Sequence, residues 1–172
     1  MADPVAIEYG IRQLHARYVD AVWRKDVRSL VECYNAEGQW RIAGRVMKGR
    51  KEIADLVGEI FERSNRLLLT FRTPLIDVNR NGVSARTYVT EQCSYTDRPP
   101  RSTIGIYHDR FVRSGDRWAY EWRMFETIYL GGADLSGDWF APMELGPMPA
   151  MPPRDAVPVA PTHSKALPPV PT

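Results

Sequence analysis

The sequence predicts an α+β domain, with helices first and a long antiparallel sheet after them. Three observations carry that expectation. Apolar residues recur at three- and four-residue steps up to about residue 63. Beyond residue 66 the period falls to two. The two-period runs are long and are separated by short turn signals.

Ile7, Ile11, Leu14, Tyr18 and Val22 mark one face of a helix running from about Pro4 to Lys25. Asp26 is placed to cap a second helix carrying Val27, Leu30, Val31 and Tyr34. EGQWRIAGRVMKG, residues 37–49, reads as a short hairpin that turns near Ala43–Gly44. Lys51–Arg63 holds Ile53, Leu56, Val57, Ile60 and Phe61, a third amphipathic helix. Leu67–Val78 is the first long strand. The NRNG turn, residues 79–82, carries the Asn-Gly signal of a tight hairpin and leads into Val83–Thr96. Ser102–Arg113 and Arg117–Tyr129, joined by SGD, complete the meander. Residues 1–140 are expected to form the domain. Residues 141–172 hold most of the 14 prolines and predict an extended or polyproline-like tail, able to lie along the body or a neighbouring subunit.

At 172 residues and 44% hydrophobic, the chain can bury a core of its own. The net charge of +2 is spread over scattered arginines, so neither nucleic acid nor an anionic membrane is an expected partner. No apolar run approaches a membrane span, and MADPVAIEYG has no apolar leader. Cys33 and Cys93 lack the spacing of a zinc or redox site and read as reduced core residues, consistent with a cytoplasmic protein. His15, His108 and His163 are too dispersed for a metal site, and no glycine-rich phosphate loop is present. No metal and no cofactor are expected.

Two segments, taken in order, carry a family resemblance: IRQLHARYVDAVWRKDVRSLVECYNAEGQWRIAGRVMKGRKEIADLV and GIYHDRFVRSGDRWAYEWRMFETIYLG. Residues 5–137 resemble the SnoaL-like branch of the NTF2-like superfamily. Its scytalone dehydratase, bile-acid dehydratase and hexachlorocyclohexane dehydrochlorinase members are the most similar. The resemblance implies a cone, in which a strongly curved antiparallel or mixed sheet wraps the helices and leaves an apolar pocket at its open end. It also implies elimination or isomerisation by side chains alone, and self-association as a dimer or higher homo-oligomer. Arg86, Tyr88 and Thr90 lie on the outer sheet face expected to make that contact.

In the dehydratase and dehydrochlorinase members a His on the first long strand is the base, oriented by an Asp late in the first helix. Those positions fall on Leu69 and Trp23 here, so the dyad is absent. Tyr18 matches a position that carries a catalytic Tyr or Lys. Glu91 matches a carboxylate of the bile-acid dehydratase, and a carboxylate among apolar neighbours would have the raised pKa of a general base. Arg123 matches a pocket arginine and could pair with Glu91 or bind a leaving group. His108 alternates with Tyr107 and Asp109 and is a rescue base if its set faces inward. Trp23, Tyr34, Trp40, Leu69, Phe71, Arg72, Tyr95 and Phe125 are the expected lining, suited to a flat aromatic molecule. The expected function is therefore a cofactor-independent lyase or isomerase acting on an apolar, aromatic or polycyclic small molecule. Dehydration and retro-aldol-type cleavage both fit. The alternative is a non-catalytic ligand-binding or assembly subunit of the same fold.

Overall fold

The computed structural model describes residues 3–133, 137–140 and 164–165. The expected tail, residues 141–172, lies outside them except for the two-residue strand Ser164–Lys165.

Helix α1, Pro4–Arg24, begins where Asp3 accepts from the Val5 N–H and ends at Lys25, which adopts a left-handed conformation. Its buried residues are the predicted stripe plus His15 and Ala21. Helix α2, Val27–Glu32, is capped by Asp26, whose carboxylate accepts from the Ser29 N–H. It stops before Tyr34, which instead starts strand β1, Tyr34–Ile42. The turn Ala43–Gly44 has positive φ at both residues, as a two-residue hairpin requires, and returns the chain as β2, Arg45–Lys48. Helix α3, Gly49–Glu62, buries Ile53, Leu56, Val57 and Phe61.

The predicted strand 67–78 is two strands: β3, Ser64–Phe71, and β4, Leu75–Asn79. Pro74 accounts for the break, because it has no N–H for the ladder and restricts the residue before it. Both pieces pair with β5, Gly82–Tyr95, which continues antiparallel into β6, Arg101–Ser114, and β7, Arg117–Gly131. Strand β1 joins the far edge of β7 in parallel, so the sheet is mixed, in the order β2-β1-β7-β6-β5-β3. Short β8, Asp138–Phe140, pairs with β7, and β9, Ser164–Lys165, pairs with β8. This is the α+β cone, its concave face closed by α1 and α3.

Ladder register decides which side chains face the helices. Glu91 opposes Leu69 and Thr103, Tyr107 opposes Thr87 and Phe125, and Asp109 opposes Arg123. These pairs point into the cone. A register shift in β7 leaves Glu121 out of the ladder, where it pairs with Arg110 rather than sharing the inner face with Arg123. Arg86, Tyr88 and Thr90 point the other way, as expected, but Arg86 is buried and the other two are half-buried.

Gly105 is the position where β6 admits a ring. A Cβ there would lie 2.3 Å from the Phe125 ring and 2.6 Å from the Glu126 carbonyl oxygen. Phe125 therefore packs over the β6 backbone and against Tyr107, at 4.9 Å between ring centroids. Gly105→Ala is expected to lower stability by about 1–3 kcal/mol through overpacking, measurable as a lower urea midpoint with an unchanged slope.

Candidate active site

The cone holds a cavity of about 280 Å³. Of the residues expected around it, Tyr18, Trp40, Leu69, Glu91 and Tyr95 line it. Tyr107 lines it too. Helix α3 supplies an apolar wall through Leu56, Val57, Ile60 and Phe61. At the mouth stand Arg45, Arg63 and Arg98. Arg45 pairs with Glu59, Arg63 and Arg98 share Asp97, and the Arg98 guanidinium lies 4.2 Å from the Tyr95 ring centroid. Neither the α3 wall nor the basic mouth was legible beforehand, since each depends on how distant segments meet.

Two carboxylates line this cavity: Glu59, paired with Arg45, and Glu91. Glu91 makes no hydrogen bond or ion pair among the described residues. Burial pushes its pKa up to about 7 from the ordinary 4.5, and no cation offsets that rise. Its side chain remains half-buried, consistent with one that opens onto the cavity. Near neutral pH, both protonation states are accessible, as a general base or acid needs.

Tyr18 and Tyr107 are the candidate donors. Burial raises both phenols above the ordinary tyrosine value, and the positive charge of Arg123 only partly opposes it. Both therefore stay protonated at neutral pH and present O–H groups. Trp40 is a third donor: it is buried, lines the cavity, and its Nε1–H has no partner among the described residues.

Arg123 does not reach Glu91. Its Nε and Nη2 donate to the two Asp109 carboxylate oxygens at 2.7 and 2.8 Å, and both side chains are fully buried. The rings of Tyr18, Tyr107, Tyr120 and Phe71 enclose its guanidinium, with centroids at 4.4, 4.0, 3.7 and 5.3 Å. Burial alone would raise the Asp109 pKa; the adjacent guanidinium outweighs that and holds it below the ordinary range. Arg123 thus stands behind the cavity wall and acts on the phenols through their rings.

The other expected site residues lie elsewhere. His108 points away from the cone and meets Glu126 at 2.9 Å, both buried. Its sequence alternation with Tyr107 and Asp109 is real, and the inward set is the other one. Tyr34 is buried in the aromatic core beside Tyr18 and Tyr120. Phe71 stacks on Tyr18 at 5.9 Å but lines an outer groove, as does Arg72, which is exposed. Phe125 is taken up by Gly105 and Tyr107. Trp23 is 53% exposed and also lines the outer groove. Five positions along a helix turn the side chain about 140° away from that of Tyr18. His15, on the first helix, is buried.

The two positions of the missing dyad still touch. Trp23 Nε1 donates to the Leu69 carbonyl at 2.8 Å. The Leu69 side chain faces the cavity directly across the ladder from Glu91. The carboxylate therefore sits one strand over from the histidine position, about 5 Å away.

Structure comparisons agree with this fold. A sequence search of curated proteins returns no match. Among solved structures, hexachlorocyclohexane dehydrochlorinase LinA-type3 from Novosphingobium barchaimii matches with a TM-score of 0.68 at 17% identity, over 81% of this chain and 97% of that one. A provisional scytalone dehydratase from Novosphingobium aromaticivorans matches with 0.68 at 17% identity, over 73% and 87%. ActVI-ORFA from Streptomyces coelicolor matches with 0.62 at 14% identity, over 70% and 96%. At such identities these likenesses carry the fold. The SnoaL-like domain model matches residues 4–123. This chain belongs to the SnoaL-like domain family.

Proposed function

We propose that the cone cavity is the active site of a cofactor-independent lyase or isomerase that works on an apolar, aromatic small molecule by side-chain acid–base chemistry. One observation carries this reading: a carboxylate without a partner among the described residues, on the apolar and aromatic part of the cavity wall behind a charged mouth, pushed up to about 7. A purely structural glutamate gains nothing from that placement.

Glu91 takes the proton in either chemistry. In a dehydration it removes a proton from carbon beside an activating group. The C–H electrons become the new double bond, and the hydroxyl departs as water after protonation by a Tyr18 or Tyr107 phenol. In a retro-aldol-type cleavage it removes the proton of a substrate hydroxyl. The C–C bond then breaks, a small carbonyl compound leaves, and the electron pair passes to an oxyanion held by the same phenols and the Trp40 N–H. Arg123, behind the two phenol rings, makes them better donors without touching substrate. A cavity of about 280 Å³ is at the small end for such sites and favours one or two rings over a larger polycycle.

The apolar residues at the dyad positions, Trp23 and Leu69, favour a second reading, a ligand-binding or assembly subunit. A thermal-shift screen with apolar aromatic alcohols and diols, followed by mass spectrometry for loss of water or a small aldehyde, separates the two. Turnover by the wild type, cut about 10²–10⁴-fold in Glu91→Gln with binding retained, supports the enzyme. Stabilisation without turnover in either protein assigns a binder.

A further inference from the structure

A second hollow, a groove of about 700 Å³, lies along the flank of α1 beside the connection from β3 to β4. At its base is His15, 5% exposed, with neither ring nitrogen hydrogen-bonded among the described residues. Nε2 lies 3.6 Å from Asp109 Oδ2, beyond hydrogen-bond range but facing the nearest acceptor. Phe71 meets the imidazole edge-on at 5.1 Å, and Tyr120 stacks on it at 6.0 Å. Burial pushes the imidazole pKa below its ordinary value, against the pull of Asp109, so the ring is neutral. A neutral imidazole carries one N–H and one lone pair. With Asp109 beside Nε2, the hydrogen sits there and Nδ1 is left as a buried acceptor lacking a donor. Such a group is costly to leave unmade. His15 borders the groove, so a donor bound there reaches Nδ1 after a small displacement of the atoms that cover it.

The rest of the groove indicates what that donor is attached to. Trp23 is half exposed, and its indole is pinned by the bond to the Leu69 carbonyl, so it presents a fixed flat face. Val19 and Pro74 add apolar surface. Two charged groups line the groove besides Arg72 and His15, and both are paired: Arg12 with Glu8, and Asp20 with Arg24. Arg72 is exposed and in no ion pair among the described residues, while its own N–H is fixed to the Tyr88 carbonyl at 2.8 Å.

We propose that this groove is a binding site, separate from the cone cavity, for a small aromatic acid that carries a phenolic hydroxyl. The hydroxyl donates to His15 Nδ1, the ring lies on Trp23, and the carboxylate meets Arg72.

Calorimetric titration with para-hydroxyphenylacetate tests this, with phenylacetate and the uncharged para-hydroxyphenyl ethanol as comparators. Wild type is expected to bind the hydroxy acid at least about tenfold more tightly than either comparator. Trp23→Ala and Arg72→Ala are each expected to lose about tenfold or more, whereas Glu91→Gln, in the cone, binds as wild type does. Trp23 and Arg72 are exposed, so these variants keep the fold, which their circular dichroism checks. Absence of binding up to millimolar probe overturns the proposal. So does binding that Glu91→Gln abolishes while Trp23→Ala and Arg72→Ala retain it, because the probe would then be occupying the cone.

Discussion

Asp109→Ala is expected to cost about 3–5 kcal/mol of folding stability, the largest effect of any single substitution in the sheet. The variant leaves the Arg123 guanidinium fully buried without its bidentate partner. The four surrounding rings attract a cation but offer no anion, and the site is fully buried. Arg123→Met is expected to be damaging as well, since it strands the carboxylate. The double variant Asp109→Leu with Arg123→Met removes both charges and fills much of the same volume. It is expected to recover most of the loss, as buried ion pairs often break even against apolar replacements. Urea unfolding of the three variants measures the coupling directly. Equal and additive losses would show that the pair is not a unit.

Glu91→Gln is expected to stabilise the protein at alkaline pH and to flatten its pH dependence. The Glu91 carboxyl titrates near 7 when folded, against an ordinary 4.5 when unfolded. Below pH 4.5 both states are protonated, so wild type and variant are equally stable with respect to this group. Between the two values the unfolded state ionises first, and folding is progressively disfavoured. Above pH 7 the wild type carries the full penalty, about 3 kcal/mol at most. Thermal or urea unfolding at about pH 5 and about pH 8.5 should show a gap that opens in favour of the variant as pH rises. A gap that stays constant would mean that Glu91 titrates normally. Stability given up at one position of an otherwise well-packed cone is the pattern of a functional group.

Periodicity made most of the fold legible. The α1 stripe and its neighbours follow from three- and four-residue spacing, and the Asp26 cap from residue chemistry alone. Strand parity correctly grouped Tyr107 with Asp109. Parity could not say which group faces the helices, and that decided the fate of His108. Trp23 was misplaced because nearness in sequence to Tyr18 and Val22 is not nearness around a helix. The break at Pro74 was written in the sequence but hidden by a two-period run that continues across it. Arg123 was singled out without its partner, since the Asp109 pairing depends on β6–β7 register over 14 residues of separation. His15 lies outside the apolar stripe by residue type, and only the aromatic cluster around it explains its burial.

Titration of the Glu91 carboxyl by carbon NMR in glutamate-labelled protein, assigned by its absence in Glu91→Gln, tests the central claim most directly. A midpoint close to 7 is the expected result and supports a desolvated base on the wall of the cone. A midpoint near the ordinary 4.5 would contradict it, and the cavity would then hold no group poised to move a proton at neutral pH.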